Sequence, residues 1–223
     1  MQKSVIITAG GIGKRMGSDL PKQFLVLSGK PILVHTLELF FKYDPTIELI
    51  LTLPNEWRGY WETVIDKYFC RVPHIVVNGG EERYHSIQNA LKRCSGSYIA
   101  VHDGVRPFVS FDTLNRCFSA LNEHEAVVPV LKLKESLRQT NDASTNAVDR
   151  SNYRLVHTPQ CFRADVLRKA YEQPYHAQVT DDACLLEELG YKINLVESNE
   201  ENIKLTTPFD FLIAEIIVQR SNK

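Results

Sequence analysis

The sequence lacks an excess of charge of either sign. Its 26 Lys and Arg residues are matched by 27 Asp and Glu residues, so the formal net charge at pH 7 is −1. A chain this close to neutrality creates no general field that would attract nucleic acid or an anionic membrane. We therefore expect neither of these as a partner, and any binding site for an anion must come from a local cluster of cations.

Paired cysteines and long apolar runs are also missing. The five cysteines are widely spaced, odd in number and never form a C-x-x-C pair, which argues against a disulfide framework and a zinc site. No apolar run approaches the ~18 residues of a membrane span. Because the N-terminal residues lead directly into a predicted strand, we expect no signal peptide. Together these features predict a cytoplasmic protein.

What the sequence does contain is a regular alternation of strand and helix patterns. Short apolar segments predict strands at residues 5–8, 47–53, 74–77, 98–102, 126–133 and 193–196. Apolar residues at helical spacing predict helices at residues 31–41, 56–69, 83–93, 164–172 and 180–189, with one more capped by Ser110 and a last one beginning at Thr207-Pro208. This alternation is typical of an α/β fold whose mostly parallel sheet is covered by helices on both faces. We expect residues 1–223 to form a single domain.

Two of the predicted helices carry more detailed expectations. Thr180 is expected to be the N-cap of its helix, and Gly190 is expected to end that helix. In the last helix, four apolar residues at helical spacing are expected to face inward, namely Leu212, Ile213, Ile216 and Ile217.

The loop after the first strand is rich in glycine. Four glycines occur within the eight positions 10–17, and three cations, Lys14, Arg15 and Lys22, lie within or just after them. Glycines leave backbone N–H groups uncovered, so a loop of this kind at the end of a strand is suited to holding a polyanion such as a triphosphate. The loop differs from the dinucleotide fingerprint, because Met16 replaces the third glycine, and from the Walker loop, because Arg15 replaces its Ser or Thr.

Residues 134–156 interrupt the alternation. The stretch is polar, has no helical face and is long for a loop inside a compact domain, where the median is ~5 residues. Two interpretations remain open at this point. The stretch is either a mobile surface excursion or a protruding arm that meets a second subunit or covers the functional site.

Six local motifs connect these features to a known family. They are Ala9-Gly10-Gly11-x-Gly-x-Arg15-Met16, Pro21-Lys22-Gln23, Gly79-Gly80-Glu81-x-Arg83-x-x-Ser86, His102-Asp103-x-x-Arg106-Pro107, Thr158-Pro159-Gln160 and Asn202-Ile203-Lys204-x-Thr206. With these motifs in this order over nearly its whole length, the chain resembles the nucleotidyltransferases that make CDP-linked polyols. In particular it is similar to the 2-C-methyl-D-erythritol 4-phosphate cytidylyltransferases.

The resemblance implies a Rossmann-like fold of the nucleotide-diphospho-sugar-transferase type, with a protruding dimerisation arm at about residues 134–157. It implies a homodimer that uses CTP, a polyol phosphate and Mg²⁺. The implied reaction transfers the cytidylyl group of CTP to 2-C-methyl-D-erythritol 4-phosphate. Its products would be 4-diphosphocytidyl-2-C-methyl-D-erythritol and pyrophosphate, in non-mevalonate isoprenoid biosynthesis.

The resemblance also implies roles for individual residues. The implied catalytic cations are Arg15, Lys22, Arg150 and Lys204, of which Arg150 would come from the neighbouring subunit. The implied CTP contacts are Thr8, Ala9, Gly10, Gly11, Gly13, Gly80, Glu81, Ser86, Asp103 and Gly104, with Arg83 as a support. The implied acceptor contacts are Asp103, Arg106, Ser136, Arg150, Thr180 and Lys204. Asp103 is also the expected metal-facing carboxylate, with the metal held mostly by the phosphates of CTP.

The chain departs from the family's usual residues at three of these positions. Alanine is frequent where this chain has Gly10 and usual where it has Gly104, and threonine is frequent in place of Ser136. The alignment with the family also needs a small insertion before Ser136.

Three other functions share part of this pattern. A ribitol-5-phosphate cytidylyltransferase would share the CTP half of the site, and a catalytically inactive module would bind CTP without turning it over. A dehydrogenase is disfavoured by Met16. Residues 148–152 and the segment Thr180-Asp181-Asp182-Ala183 resemble the arm and the Thr-Asp-Glu-Ala motif of the isoprenoid enzyme, which favours that enzyme over the ribitol enzyme.

Overall fold

The predicted alternation of strands and helices is confirmed in the computed structural model, which describes residues 1–11, 20–141 and 144–221. The strands are β1 (Lys3–Thr8), β2 (Val26–Leu27), β3 (Lys30–Pro31), β4 (Glu48–Leu53), β5 (Ile75–Asn78), β6 (Tyr98–Asp103), β7 (Ala126–Lys132), β8 (Leu137–Thr140), β9 (Thr145–Val148), β10 (Arg154–Val156), β11 (Gln160–Arg163) and β12 (Ile193–Glu197). The helices are α1 (Ile32–Tyr43), α2 (Arg58–Lys67), α3 (Arg83–Leu91), α4 (Phe111–Ala120), α5 (Ala164–Ala170), α6 (Asp182–Glu188) and α7 (Pro208–Ser221).

Eight of the strands in the described residues form one sheet, in the order β10-β7-β11-β6-β1-β4-β5, with β12 beside β7. Strand β1 is central and runs parallel to both β4 and β6, and β5 runs parallel to β4. Parallel strands end at the same edge, so Thr8, Leu53, Asn78 and Asp103 lie along one edge of the sheet. The predicted mostly parallel sheet is thus confirmed. The antiparallel strands β10 and β11 were not predicted, because segments of three and four residues carry too little periodicity.

Helices cover both faces of the sheet, as predicted. In β1, Val5 and Ile7 pack into one buried cluster and Ile6 packs into another, because successive side chains of a strand point to opposite faces. The first cluster contains Trp61 of α2, and the second contains Leu186 of α6. Helices α1 and α4 also contribute to the first cluster, whereas α3 and α5 contribute to the second.

The N-cap of helix α6 lies one residue later than expected. The N-cap is Asp181, whose Oδ1 accepts a hydrogen bond of 3.0 Å from the backbone N–H of Cys184. The expectation that Thr180 caps this helix is therefore wrong, because a carboxylate in extended backbone directly after Thr180 takes that position. Gly190 follows the helix with φ +81°, a conformation that favours glycine, so the predicted end of the helix is confirmed.

Helix α7 buries a different face from the one expected. Leu212 is 64% exposed and Ile216 is 52% exposed, whereas Ala214 is buried and Phe211 and Val218 are partly buried against a small cluster that contains Leu27, Ile32, Val105 and Leu205. The prediction that Leu212 and Ile216 face inward is therefore wrong. The reason is that α7 has apolar residues on all sides, so its sequence does not define the buried face. In the described ranges, no helix combines the length and apolarity needed to cross a membrane.

The polar stretch at residues 134–156 contains strands. Strands β8 and β9 form a separate two-stranded antiparallel hairpin, a 3-10 turn follows at Arg150–Asn152, and β10 then returns to the main sheet beside β7. Sequence patterns did not predict the hairpin, because its exposed strands carry polar residues on most positions. The stretch is therefore a folded projection, and we refer to residues 134–156 as the arm.

Candidate active site

A cavity of about 300 Å³ opens at the edge of the sheet where β1, β4, β5 and β6 end. We call it the edge cavity. It is lined by Thr8, Ala9, Gly10, Gly11, Lys22, Gln23, Thr52, Gly80, Glu81, Glu82, Arg83, Ser86, Asp103, Val105 and Lys204. The cavity thus brings together residues from several separate motifs, and it places both predicted catalytic lysines, Lys22 and Lys204, in one site.

The carboxylate of Asp103 lies between two cations. Its Oδ2 is 3.0 Å from Nζ of Lys204 and 3.2 Å from Nε of Arg106. Burial by itself would raise the pKa of Asp103, but the positive charges of Lys204, Arg83 and Arg106 lower this pKa well below its usual range. Asp103 is therefore ionised at neutral pH. Arg106 is held in turn by a hydrogen bond of 2.7 Å from its Nη1 to the backbone carbonyl of Asn202.

Two buried side chains support Asp103 from behind. The hydroxyl of Thr158 accepts a hydrogen bond of 3.1 Å from the backbone N–H of Asp103 and lies 3.2 Å from Nδ1 of His102. Nε2 of His102 donates to the backbone carbonyl of Arg106 at 2.9 Å, since a carbonyl can only accept. Burial lowers the pKa of His102 to about 4, so its ring is neutral at physiological pH and holds the turn after β6 in place.

The start of the glycine-rich loop is fixed by hydrogen bonds to its neighbours. Ala9 donates its N–H to the backbone carbonyl of Thr52 at 3.1 Å and accepts a bond of 2.6 Å from Nε2 of Gln23. Gln23 is 1% exposed and follows Lys22 directly. Its amide therefore ties the loop to the turn that carries Lys22. The sequence analysis included Gln23 in a motif but assigned it no role. Its position between Lys22 and the apolar Phe24 was the one sign in the sequence that its side chain has a structural role.

The short turn Lys22–Phe24 is also anchored by aromatic packing. The ring of Phe24 is almost fully buried, and its centroid lies 5.7 Å from that of Trp57 and 5.1 Å from that of Tyr60. Trp61 completes this aromatic cluster at 6.3 Å. Since Phe24 is two residues from Lys22, this packing restricts where the ammonium group of Lys22 can be placed.

The loop between β5 and α3 closes around one hydroxyl group. Ser86 Oγ accepts a hydrogen bond of 2.9 Å from the backbone N–H of Gly80 and donates one of 3.2 Å to the carbonyl of Glu82. A side chain at Gly80 would collide with helix α3, because an added Cβ would lie 2.3 Å from Cβ of His85. The loop therefore requires glycine at this position for close packing.

Several residues predicted for the site do not line the edge cavity. Arg15 and Gly13 lie outside the described residues. Of the described residues, Ser136 and Arg150 belong to the arm, where Nη1 of Arg150 donates to the backbone carbonyl of Lys134. Thr180 lines a separate cleft of about 60 Å³ beside Arg83.

Gly104 and Arg106 lie just behind the cavity wall. The N–H of Gly104 donates to the carbonyl of Thr8 at 2.9 Å, and a Cβ added to Gly104 would be 3.0 Å from that oxygen and 3.1 Å from Cδ1 of Leu33. In this structure, tight packing against β1 and α1 accounts for the small residue at position 104. Arg106 reaches the cavity through its contact with Asp103.

The donor set at the cavity is compatible with a metal ion that is held mostly by a substrate. Among the described residues, no group of three or more His, Cys, Asp or Glu side chains is placed to hold a metal ion. Asp103 supplies a single buried carboxylate. One carboxylate is compatible with Mg²⁺, which is commonly bound by one or two carboxylates together with water and the phosphates of a substrate.

Substitution by alanine should destabilise the protein at one glycine and leave its stability nearly unchanged at another. Gly80→Ala should destabilise the protein by about 1–3 kcal/mol and weaken ligand binding in the edge cavity, because the loop or α3 must move away from His85. Gly10→Ala is the matched control. The described atom nearest to its added Cβ is Ser86 Oγ at 3.9 Å, an ordinary contact, so we expect a change within about 0.5 kcal/mol. Denaturant unfolding of both variants measures the difference, and equal losses would contradict this account.

Comparisons with known proteins agree with the geometry. A family model described as 2-C-methyl-D-erythritol 4-phosphate cytidylyltransferase matches residues 3–220. The protein of that name from Bacteroides thetaiotaomicron is 47% identical over 219 residues, which are 98% of this chain and 100% of the relative. The protein of that name from Bacteroides fragilis is 43% identical over 219 residues, again 98% of this chain and 100% of the relative.

Solved structures show the same likeness. The 4-diphosphocytidyl-2C-methyl-D-erythritol synthase from Anaerococcus prevotii matches with a TM-score of 0.83 and 28% identity, covering 98% of this chain and 96% of the other. The 2-C-methyl-D-erythritol 4-phosphate cytidylyltransferase from Thermus thermophilus matches with a TM-score of 0.80 and 31% identity, covering 98% and 100%. The resemblance seen in the motifs is confirmed, and the chain belongs to the 2-C-methyl-D-erythritol 4-phosphate cytidylyltransferase family.

Proposed function

We propose that this protein transfers the cytidylyl group of CTP to 2-C-methyl-D-erythritol 4-phosphate. The products are 4-diphosphocytidyl-2-C-methyl-D-erythritol and pyrophosphate, and the reaction belongs to non-mevalonate isoprenoid biosynthesis. Besides family membership, one observation carries the proposal. Lys22, Lys204 and the ionised Asp103 line the same cavity as the start of the glycine-rich loop.

The chemistry explains why cations and backbone amides dominate this site. The attacking group is an oxygen of the acceptor's phosphate monoester, whose second pKa is ~6, so it is already ionised at neutral pH. A general base is therefore not needed. The protein must instead hold two anions together and stabilise the charge that develops on the α-phosphoryl group and on the leaving pyrophosphate.

The CTP half of the site is assigned to the loops after β1 and β5. The backbone amides of Gly10 and Gly11 and the ammonium group of Lys22 line the cavity and are suited to the triphosphate. Arg15 would act beside Lys22 on the transition state. The loop at Gly80 and Glu81 would read the cytosine ring, chiefly through backbone groups that the Ser86 hydroxyl holds in place.

The acceptor half is assigned to the cluster around Asp103. Lys204 is held by Asp103 at the cavity wall, where its ammonium group can position the acceptor's phosphate. Arg106 would contact the polyol, with Ser136 and Thr180 as further hydroxyl contacts. We assign Mg²⁺ to Asp103 together with the phosphates of CTP, where the ion would neutralise negative charge on the triphosphate.

We further propose a homodimer in which Arg150 reaches the partner's site. Arg150 is exposed on the arm and lies apart from the residues that line its own chain's edge cavity. A projecting cation of this kind is suited to completing a neighbouring site. We place the enzyme in the cytoplasm, a reducing compartment that suits its five free cysteines.

The first test is turnover with two acceptors. Protein supplied with CTP, Mg²⁺ and 2-C-methyl-D-erythritol 4-phosphate should release pyrophosphate, and kcat/KM with ribitol 5-phosphate should be at least ~10²-fold lower. A coupled pyrophosphate assay measures both. Preference for ribitol 5-phosphate would reject the acceptor assignment, and CTP binding without turnover of either acceptor would indicate an inactive CTP-binding module.

Loss of the cation at position 22 should slow the chemical step. Lys22→Ala should lower kcat by about 10²–10³, because one electrostatic donor to the developing charge is removed. Lys42→Ala, on the exposed surface of α1, is the control and should retain wild-type kinetics. If Lys22→Ala raised only KM for CTP and left kcat unchanged, Lys22 would bind the ground state and the transition state equally and would not lower the barrier of the chemical step.

The proposed donation of Arg150 can be tested by subunit mixing. Arg150→Ala should raise KM for the acceptor more than KM for CTP. Co-expression of Arg150→Ala with Lys204→Ala chains should then restore about one quarter of wild-type activity, since each heterodimer would contain one complete site. Absence of restored activity in purified heterodimers would show that Arg150 acts within its own chain.

A further inference from the structure

An ion pair with one fully buried partner joins two helices at the rim of the edge cavity. Nη1 and Nη2 of Arg83 donate to Oδ1 and Oδ2 of Asp182 at 2.9 Å and 2.7 Å, in the bidentate geometry that suits guanidinium and carboxylate. Arg83 is the first residue of α3, and Asp182 is the first residue of α6. The pair therefore connects the start of one helix to the start of another.

The two partners differ in exposure. The side chain of Asp182 is 0% exposed, so a ligand cannot touch it, whereas that of Arg83 is 34% exposed and lines both the edge cavity and the cleft that contains Thr180. Asp182 also accepts a hydrogen bond of 2.5 Å from the hydroxyl of Tyr171. A buried carboxylate is costly unless it is paired and fully hydrogen-bonded, and these contacts meet that requirement.

Helix α6 is itself held firmly to the sheet. Gln160 accepts hydrogen bonds from the backbone N–H groups of Asp182 and Ala183 at 3.0 Å and 3.1 Å, and its Nε2 donates to Asp181 at 2.7 Å. Gln160 belongs to the same short motif as Thr158, which supports Asp103. The position of Asp182 is therefore fixed by Gln160, and Asp182 in turn orients the side chain of Arg83.

The position of Arg83 gives the pair a functional consequence. Arg83 follows directly after the loop of Gly80, Glu81 and Glu82, which lines the edge cavity. Because Asp182 holds Arg83, the first residue of α3, it also restricts the position of the C-terminal end of this loop. Binding of a base by backbone groups depends on such prior orientation, because ordering the loop at the moment of binding would cost affinity.

We propose that Asp182 is a positioning residue for CTP, which acts by holding Arg83 and thereby the loop at residues 80–82. This inference rests on the proposed use of CTP and adds a residue that no ligand reaches. The rival explanation is that the pair only stabilises the fold. The two differ in what a broken pair changes, namely CTP affinity in the first case and only the free energy of unfolding in the second.

The test uses variants that break the pair from either side. Asp182→Asn keeps the shape of the side chain but presents an N–H group to Arg83, and Arg83→Gln removes the cation. Each should raise the Kd for CTP about tenfold, as measured by titration calorimetry. The kcat at saturating CTP should change by less than about threefold. The double variant should equal either single variant, because the pair acts as one unit.

Two further variants separate positioning from stability. Asp182→Glu retains the carboxylate and should keep the CTP Kd within about threefold of wild type. Asp44→Asn breaks the ion pair with Lys3, at the opposite end of β1, and should lower the free energy of unfolding without changing the Kd. If Asp182→Asn does not fold, Arg83→Lys replaces it in the test. This variant keeps the positive charge but cannot form the bidentate pair with Asp182, so it should bind CTP more weakly than wild type.

The possible outcomes are distinct. Weaker CTP binding in Asp182→Asn and Arg83→Gln, with wild-type binding in Asp182→Glu and Asp44→Asn, would support the positioning role. Unchanged CTP affinity in both variants, with only a lower unfolding midpoint, would overturn it. Failure of the wild-type protein to turn over CTP with the acceptor would instead contradict the proposed function, and calorimetry without acceptor keeps the two failures separate.

Discussion

The site depends on the parallel pairing of β1 with β4 and β6. This register places Thr8 opposite both Thr52 and Asp103, so three chain segments that are far apart in sequence end side by side. The loops that leave these strands then share one small volume, as expected at the carboxyl edge of a parallel sheet. A shift of one residue would exchange the two faces of β1 and separate the glycine-rich loop from Asp103.

Charge compensation is the second organising feature. Asp103 lies against Lys204 and Arg106, and Asp182 lies against Arg83, so both of these buried carboxylates near the cavity are paired with arginine or lysine. The chain is nearly neutral as a whole, yet it concentrates cations where two anionic substrates must meet. Paired carboxylates allow these cations to be held close together at a lower cost of mutual repulsion.

Much of this architecture was predictable from the sequence. The glycine-rich loop, the strand ends and the order of the motifs correctly indicated the parallel sheet and the grouping of Lys22, Asp103 and Lys204. The hairpin of the arm was not predictable, because polar strands lack the alternation of a half-buried sheet. The buried face of α7 was not predictable either, because both of its faces are apolar.

The contacts that hold the site together were the hardest to foresee. Gln23, Thr158 and Gln160 act through hydrogen bonds to backbone atoms of other segments, and such partners follow from tertiary structure and not from local pattern. A sequence motif marks these residues without stating what they bind. The same holds for Asp182, whose partner is 99 residues away along the chain.

The hydrogen bond from Gln23 to Ala9 also orients the next backbone amide, because the peptide unit is rigid. In a planar trans peptide the N–H points opposite to the C=O, so fixing the oxygen of Ala9 also fixes the direction of the N–H of Gly10. The first amide of the glycine-rich loop is thus aimed before any anion arrives. Such advance orientation spares the binding step an ordering entropy on the order of 1–2 kcal/mol per residue.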